Sequence, residues 1–180
     1  SSVAIAVVWK FVFQSEGLIN RILMGFGLEA VNWLGSAKYS IWVICLLHVW
    51  QFGSAMVIFL AALKGVPQDL YEAAQIDGAG KWTQFFKVTI PLITPVIFYN
   101  AVTQICTAFQ EFNSAYLITK GGPLNSTTLI SLLIYQSAFK SYDMGLASAM
   151  AWILFIIVAI FTAIAFLSQK YWVYYSDDSR

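Results

Sequence analysis

The sequence predicts an all-α fold, a polytopic transmembrane helical bundle, and two observations support this prediction. Hydrophobic residues make up 59% of the 180 residues and charged residues only 11%, a balance far more apolar than that of an ordinary soluble domain. The apolar residues also form uninterrupted runs that are long enough to cross a bilayer. Such runs lack the alternation of a membrane β-barrel, and an open strand in lipid would leave backbone groups unpaired. We therefore predict helices throughout.

The first apolar stretch is too short to span a membrane. It runs from Val3 to Phe13 and is interrupted by Lys10, whereas a span needs about 20 residues. We interpret it as the end of a helix whose beginning, together with further N-terminal helices, is missing from the sequence. A cleaved signal peptide is the alternative, but no small-residue cleavage site follows, and Trp9-Lys10-Phe11 is typical of an interfacial anchor.

Three longer apolar segments each predict a whole span. They cover about residues 39–63, 88–118 and 144–168, and at about 1.5 Å per residue each can cross roughly 30 Å of hydrocarbon. We expect one transmembrane domain over residues 1–170, followed by a polar tail, 171–180. Lys and Arg residues divide five against five between the two sides of these spans. The positive-inside rule therefore does not decide the orientation.

A polar loop, residues 64–87, separates the first two whole spans. Pro67 suits the first turn of a helix, and Asp69 and Glu72 place negative charge near the positive end of that helix. Asp77-Gly78 then predicts a helix stop and a turn, because glycine adopts a positive φ at no steric cost. Two short amphipathic helices are expected to meet at this corner. Their apolar faces consist of Leu70, Ala73 and Ala74 in the first helix and Ala79, Trp82 and Phe86 in the second.

The same loop carries a recognisable spacing of residues. Glu72-Ala73-Ala74, Gly78, Val88 and Pro91 resemble the cytoplasmic signature of the permease subunits of binding-protein-dependent ABC importers, with Val88 in place of isoleucine. The resemblance extends over residues 70–95 to the sugar-permease form of the signature. It implies that the loop is an amphipathic coupling helix docked on a cytoplasmic ATPase. The residues that would make this contact are Leu70, Glu72, Ala73, Ala74, Asp77, Gly78 and Ala79.

A second element strengthens the likeness to sugar permeases. Thr119-Lys120-Gly121-Gly122-Pro123 is a turn signal, and it is similar to the Thr-x-Gly-Gly-Pro element of that subfamily. The resemblance also decides the orientation, because it places the polar loop and the C-terminus in the cytoplasm.

The second whole span carries a polar stripe. Its members fall at i, i+3, i+4, i+7 and i+11, which is one face of a helix. One interpretation is that the stripe lines a hydrated path for solute, and the other is that it only hydrogen-bonds neighbouring helices. We favour the path, because several uncharged polar groups and an acid share one face. The stripe consists of Asn100, Thr103, Gln104, Thr107 and Glu111.

No catalytic arrangement is evident in the sequence. There is a single histidine, His48, and no glycine-rich phosphate loop or metal-ligand spacing. His48 lies one turn from Gln51, and a lone intramembrane histidine is more often a hydrogen-bond partner between helices than a ligand. We therefore expect no enzyme activity, no cofactor and no metal, with ATP hydrolysis in a separate subunit. Four aromatic residues suit either packing or stacking on sugar rings: Trp50, Phe109, Phe112 and Tyr116.

The resemblance as a whole implies a permease subunit of a bacterial or archaeal ABC importer in the cytoplasmic (inner) membrane. It is most similar to the carbohydrate group typified by maltose, lactose and glycerol-phosphate systems. The implied partners are a second permease subunit, a cytoplasmic ATPase dimer and an extracytoplasmic solute-binding protein, all around a lipid bilayer. The net charge of +1 gives no reason to expect nucleic acid. A permease for amino acids, peptides or another small solute is the nearest alternative, and a secondary transporter or channel is a more distant one.

Overall fold

The computed structural model describes residues 2–175, and over these residues every regular element is helical. The all-α prediction is confirmed. Two short segments of the described residues are π-helical, Phe85–Thr89 and Ala115–Thr119. The α-helices in chain order are α1 (Ser2–Val12), α2 (Leu18–Gly25), α3 (Ser40–Trp50), α4 (Gly53–Lys64), α5 (Gln68–Ile76), α6 (Lys81–Gln84), α7 (Ile90–Phe109), α8 (Ile130–Phe139) and α9 (Met144–Trp172).

Three helical stretches are long and apolar enough to cross a membrane. They are Ser40–Lys64, Lys81–Phe109 and Met144–Trp172, and each overlaps one of the three predicted spans. The first stretch contains a turn at Gln51 and Phe52, just before Gly53, a residue with low helix propensity. The predicted polar tail, 171–180, begins inside α9, and its last five residues lie outside the described part of the chain.

The second span ends earlier than the sequence predicts. Its helix stops at Phe109, whereas the apolar run suggests a helix to about residue 118. The Glu111 carboxylate explains the stop, because its Oε1 accepts hydrogen bonds from the Ser114 backbone N–H at 2.8 Å and from the Ser114 hydroxyl at 2.7 Å. A side chain that binds nearby backbone donors competes with the continuing helix and starts a new turn.

The chain divides into two compact units. The first comprises Ser1–Gln51 and Thr107–Ile157, and the second comprises Phe52–Cys106 and Val158–Arg180. In the first unit the core contains two clusters of buried side chains, one formed by Ala6, Leu47 and Ile118 and the other by Ile44, Ala115 and Leu132. The single domain over residues 1–170 stays a prediction.

In the second unit, α7 accommodates a proline in its interior. Pro95 has no N–H to donate to the carbonyl of Pro91, four residues earlier. The Thr94 hydroxyl donates to that carbonyl instead, at 2.6 Å, and accepts a hydrogen bond from the Tyr174 backbone N–H at 2.8 Å. The helix therefore continues through Pro95 with its freed acceptor satisfied.

Candidate coupling surface and solute path

The corner between α5 and α6 is closed by a glycine in the left-handed conformation. Gly78 has φ +77° and lies two residues after the end of α5. The Ala79 N–H donates to the carbonyl of Ala74 at 2.9 Å, and the Gly78 N–H donates to that of Gln75 at 3.0 Å. These are the two hydrogen bonds of a Schellman motif. The predicted stop at Asp77-Gly78 is thus confirmed.

Side-chain hydrogen bonds fix the corner to the start of the second span. The Tyr71 hydroxyl on α5 lies 2.7 Å from the Thr89 hydroxyl. The Gln84 amide, which is buried, donates to the carbonyl of Ala79 at 2.8 Å. The corner is therefore tied by hydrogen bonds to the start of its own span.

The second helix of the corner differs from the prediction. α6 has only four residues and passes through the π-helical segment Phe85–Thr89 directly into α7. Polar residues at positions 83, 84 and 87 favour a loop between this helix and the span. No glycine or proline lies between Lys81 and Ile90, however, so the helical backbone continues.

The corner presents a large apolar surface. Ile76 is 88% exposed and Trp82 77% exposed, and Phe86 stacks against Trp82 with ring centroids 6.3 Å apart. Ile76 was missed in the sequence, although it is the last apolar residue before the predicted stop. We call Leu70, Ile76, Trp82 and Phe86 the corner surface.

The residues predicted to contact an ATPase lie on α5 and in the turn that follows it. Leu70, Glu72, Ala73, Asp77 and Gly78 are exposed. Two further residues, Ala74 and Ala79, are partly buried against the turn. Glu72 accepts a hydrogen bond from the amide of Gln68 at 3.1 Å, one turn before it.

The polar stripe is shorter than the sequence predicts. Asn100, Thr103, Gln104 and Thr107 lie on α7, but Glu111 lies beyond the end of that helix, so the prediction of one continuous helical face is wrong at Glu111. The cause is the capping of Ser114 by its carboxylate.

Members of the stripe differ in exposure and in bonding. Asn100 is buried, and its amide donates to the carbonyl of Val96 at 3.0 Å. Thr103 is exposed and donates to the carbonyl of Tyr99 at 2.8 Å. Gln104 and Thr107 are exposed side chains. Gln104 is therefore the member of the stripe that offers an amide at the surface of α7.

Glu111 belongs to a second polar cluster, in the first unit. Its Oε2 lies 3.6 Å from Nε2 of His48 on α3, and the Ser114 hydroxyl lies 3.4 Å from the same nitrogen. A small cavity of about 40 Å³ opens beside these three residues, with Gln51 and Asn113 also in its wall. A space of this size suits a few water molecules or one polar group. The sequence could not bring His48 and Ser114 together, because 66 positions separate them.

The aromatic residues near this cluster contact one another. The rings of Phe112 and Tyr116 are stacked, with centroids 5.2 Å apart, and Tyr135 on α8 lies 5.0 Å from Phe112 and 5.3 Å from Tyr116. In this arrangement the packing interpretation of Phe112 and Tyr116 explains their contacts.

The three helical spans, the polar cluster of Glu111 and the exposed corner between two spans define a class of protein: a polytopic helical membrane protein with an exposed amphipathic corner. Residues 1–173 match the model of the family described as binding-protein-dependent transport system inner membrane component, and the chain belongs to this family. It is accordingly a multi-pass component of the inner membrane and a transport subunit.

Curated relatives carry transport names. The chain is 46% identical over 179 residues to the probable ABC transporter permease protein YesP of Bacillus subtilis, covering 98% of this chain and 58% of that protein. It is 37% identical to the trehalose/maltose transport system permease protein MalF of Thermococcus litoralis, covering 88% of this chain and 54% of that protein. The chain thus spans somewhat more than half the length of these relatives.

Solved structures share the fold. A bacterial ABC transporter involved in the import of the acidic polysaccharide alginate matches with a TM-score of 0.84 and 25% identity, over 95% of this chain and 61% of that one. A second alginate transporter structure, in complex with an alginate pentasaccharide-bound periplasmic protein, matches with a TM-score of 0.85 and 23% identity, over 94% of this chain and 60% of that one.

Proposed function

We propose that this chain is a permease subunit of an ATP-driven sugar importer and forms half of its solute path. The observation that carries the proposal is the corner surface, an exposed apolar patch on a polar loop between two spans. Apolar patches rimmed by polar residues are typical of protein docking sites. The family membership and the transport names of the relatives support the same function.

The occupant of the corner surface is a cytoplasmic ATPase dimer. The energy for transport would come from this partner, which binds nucleotide. Closure of that partner would push on α5, and the Tyr71–Thr89 hydrogen bond would pass the movement to the base of α7.

We assign two groups of polar residues to the solute path, one on α7 and one in the first unit. Gln104 and Thr107 present polar groups on the exposed side of the helix, and Glu111 and His48 line the cavity in the first unit. A sugar offers many hydroxyl groups, each able to donate and accept, which suits amide and carboxylate partners. Sugar names recur among the relatives: trehalose/maltose, lactose and starch degradation products.

Two further partners complete the proposed importer. A second permease subunit would contribute the other half of the path. An extracytoplasmic solute-binding protein would deliver the sugar, and a periplasmic protein is bound in one of the structures with the same fold. A permease for amino acids or peptides remains the alternative within the class.

Site-specific photocrosslinking in native membranes tests the proposal. A photoreactive amino acid at position 76, in the full-length protein, should crosslink to an ATP-binding subunit, because Ile76 is the most exposed residue of the corner surface. The same probe at position 142, where Tyr142 is also exposed between α8 and α9, is the matched control and should give no such adduct. Crosslinking at position 142 and not at 76, or an adduct at 76 without an ATP-binding protein, would overturn the assignment.

A further inference from the structure

The helix α2 and the residues after it expose an unusual number of apolar side chains. Phe26, at the end of the helix, is 81% exposed, and its neighbours are about half exposed. An isolated exposed apolar residue is ordinary, but a contiguous group needs an occupant. We call the group the α2 surface; it consists of Leu18, Ile22, Met24, Phe26 and Leu28.

A buried asparagine fixes which side of α2 faces outward. Asn20 is 0% exposed and uses its whole hydrogen-bonding capacity. Its amide donates to the carbonyls of Ser15 at 2.9 Å and Val31 at 2.8 Å, and its oxygen accepts from the Val31 N–H at 3.1 Å and the Trp33 indole N–H at 2.9 Å. Leu18 and Ile22, four residues apart, lie on the other side of the helix. Leu18 and Ile22 are therefore held outward.

The contacts of α2 place it level with a membrane boundary. The Trp9 indole N–H donates to the carbonyl of Val43 at 3.0 Å, so the end of α1 lies beside the start of α3. That start, Ser40, is also the first residue of a candidate span. Since the bond between Asn20 and Ser15 holds α2 directly at the end of α1, α2 lies near the level of Ser40.

The aromatic side chains and the arginine near α2 are of the types that are typical of a membrane interface. Trp33 contacts Phe13 and Tyr39, with centroids 5.9 Å and 5.7 Å apart, and tryptophan and tyrosine are enriched where hydrocarbon meets headgroups. Arg21, exposed on α2, carries a long side chain that can reach headgroups while its stem stays among apolar groups.

We propose that the α2 surface lies in the boundary between headgroups and acyl chains of the phospholipid bilayer, as an interfacial helix. An amphipathic helix of this kind binds lipid through its buried apolar area. It anchors the turn between α1 and α3 at a fixed depth. This proposal depends on the membrane location of the chain and not on the solute or the ATPase.

Spin-label accessibility measures the depth of this surface directly. In full-length protein assembled in nanodiscs of phosphatidylethanolamine and phosphatidylglycerol, with Cys45 and Cys106 replaced by serine, a nitroxide is attached through Phe26→Cys or Ile22→Cys. Both positions are exposed, so the label is tolerated. We expect a higher collision rate with oxygen and a lower one with a water-soluble nickel chelate than at the matched control Glu29→Cys, an exposed polar position three residues beyond Phe26.

Two results would overturn the lipid assignment. A nickel collision rate at positions 22 and 26 as high as at 29 would place the surface in water. Low collision rates with both reagents would show that a protein, such as a second subunit or a solute-binding protein, covers it.

Discussion

Among the residues of the polar stripe, Gln104 is the one whose substitution we expect to weaken solute recognition most. It exposes an amide on α7, and leucine keeps much of its volume while removing both hydrogen-bonding functions. We expect Gln104→Leu to raise the solute concentration for half-maximal uptake about 5-fold to 150-fold, which corresponds to roughly 1 to 3 kcal/mol. The measurement is uptake against sugar concentration in cells that carry the intact complex.

The controls for this prediction separate a solute contact from helix packing. Gln14→Leu makes the same exchange at an exposed position before α2 and should leave uptake unchanged. Unchanged kinetics in both Gln104→Leu and Asn100→Leu would show that the stripe only binds neighbouring helices.

Glu111 has a structural role that can be measured apart from transport. Its Oε1 accepts two hydrogen bonds from Ser114, and loss of such a cap typically costs about 0.5 to 2 kcal/mol. Glu111→Ala should therefore lower the thermal unfolding temperature of the purified complex, while Glu111→Gln, which retains an acceptor oxygen, should lower it less. Equal unfolding temperatures for Glu111→Ala and the unmodified protein would contradict the capping role.

Within α7, Thr94 compensates for the proline that follows it. Thr94→Val keeps the shape of the side chain but leaves the carbonyl of Pro91 and the N–H of Tyr174 without their partner. Because each lost hydrogen bond typically costs about 0.5 to 1.5 kcal/mol, we expect a fall in the thermal unfolding temperature. Thr83→Val, at an exposed position of α6, is the matched control, and an equal effect of both exchanges would refute this account.

The elements were predicted from the sequence where local chemistry decides them. Apolar runs predict the three spans, and Asp77-Gly78 predicts the corner, because a left-handed turn there requires glycine. The end of α7 was not predicted, since the apolar run continues past Phe109 and only the contact of Glu111 with Ser114 explains the stop. The cluster of His48 with Glu111 joins two distant parts of the chain, and no local pattern reveals such a contact.

At the scale of the whole molecule, the orientation in the membrane follows from the proposed function. Lys81 would lie in the cytoplasm and Asn125 outside. With Cys45 and Cys106 replaced, a membrane-impermeant maleimide added to cells with a permeabilised outer membrane should label a cysteine at position 125 and spare one at position 81. Labelling at position 81 in cells whose inner membrane is intact would contradict this orientation.

If the corner surface couples this chain to an ATPase, the conformation of Gly78 should matter for transport, and one pair of glycine substitutions tests this. Gly78 has φ +77°, whereas Gly80 has φ −69°, and a Cβ at either position meets no atom within 4 Å. Valine therefore adds equal bulk at both positions but strains the backbone only at 78, at a cost of about 1 to 3 kcal/mol.

The measurement is ATPase co-purification and sugar uptake for Gly78→Val and Gly80→Val, each at equal membrane level. We expect Gly78→Val to lose both the ATPase and uptake, and Gly80→Val to retain both. Uptake at the unmodified rate with Gly78→Val would contradict the coupling role of the corner surface.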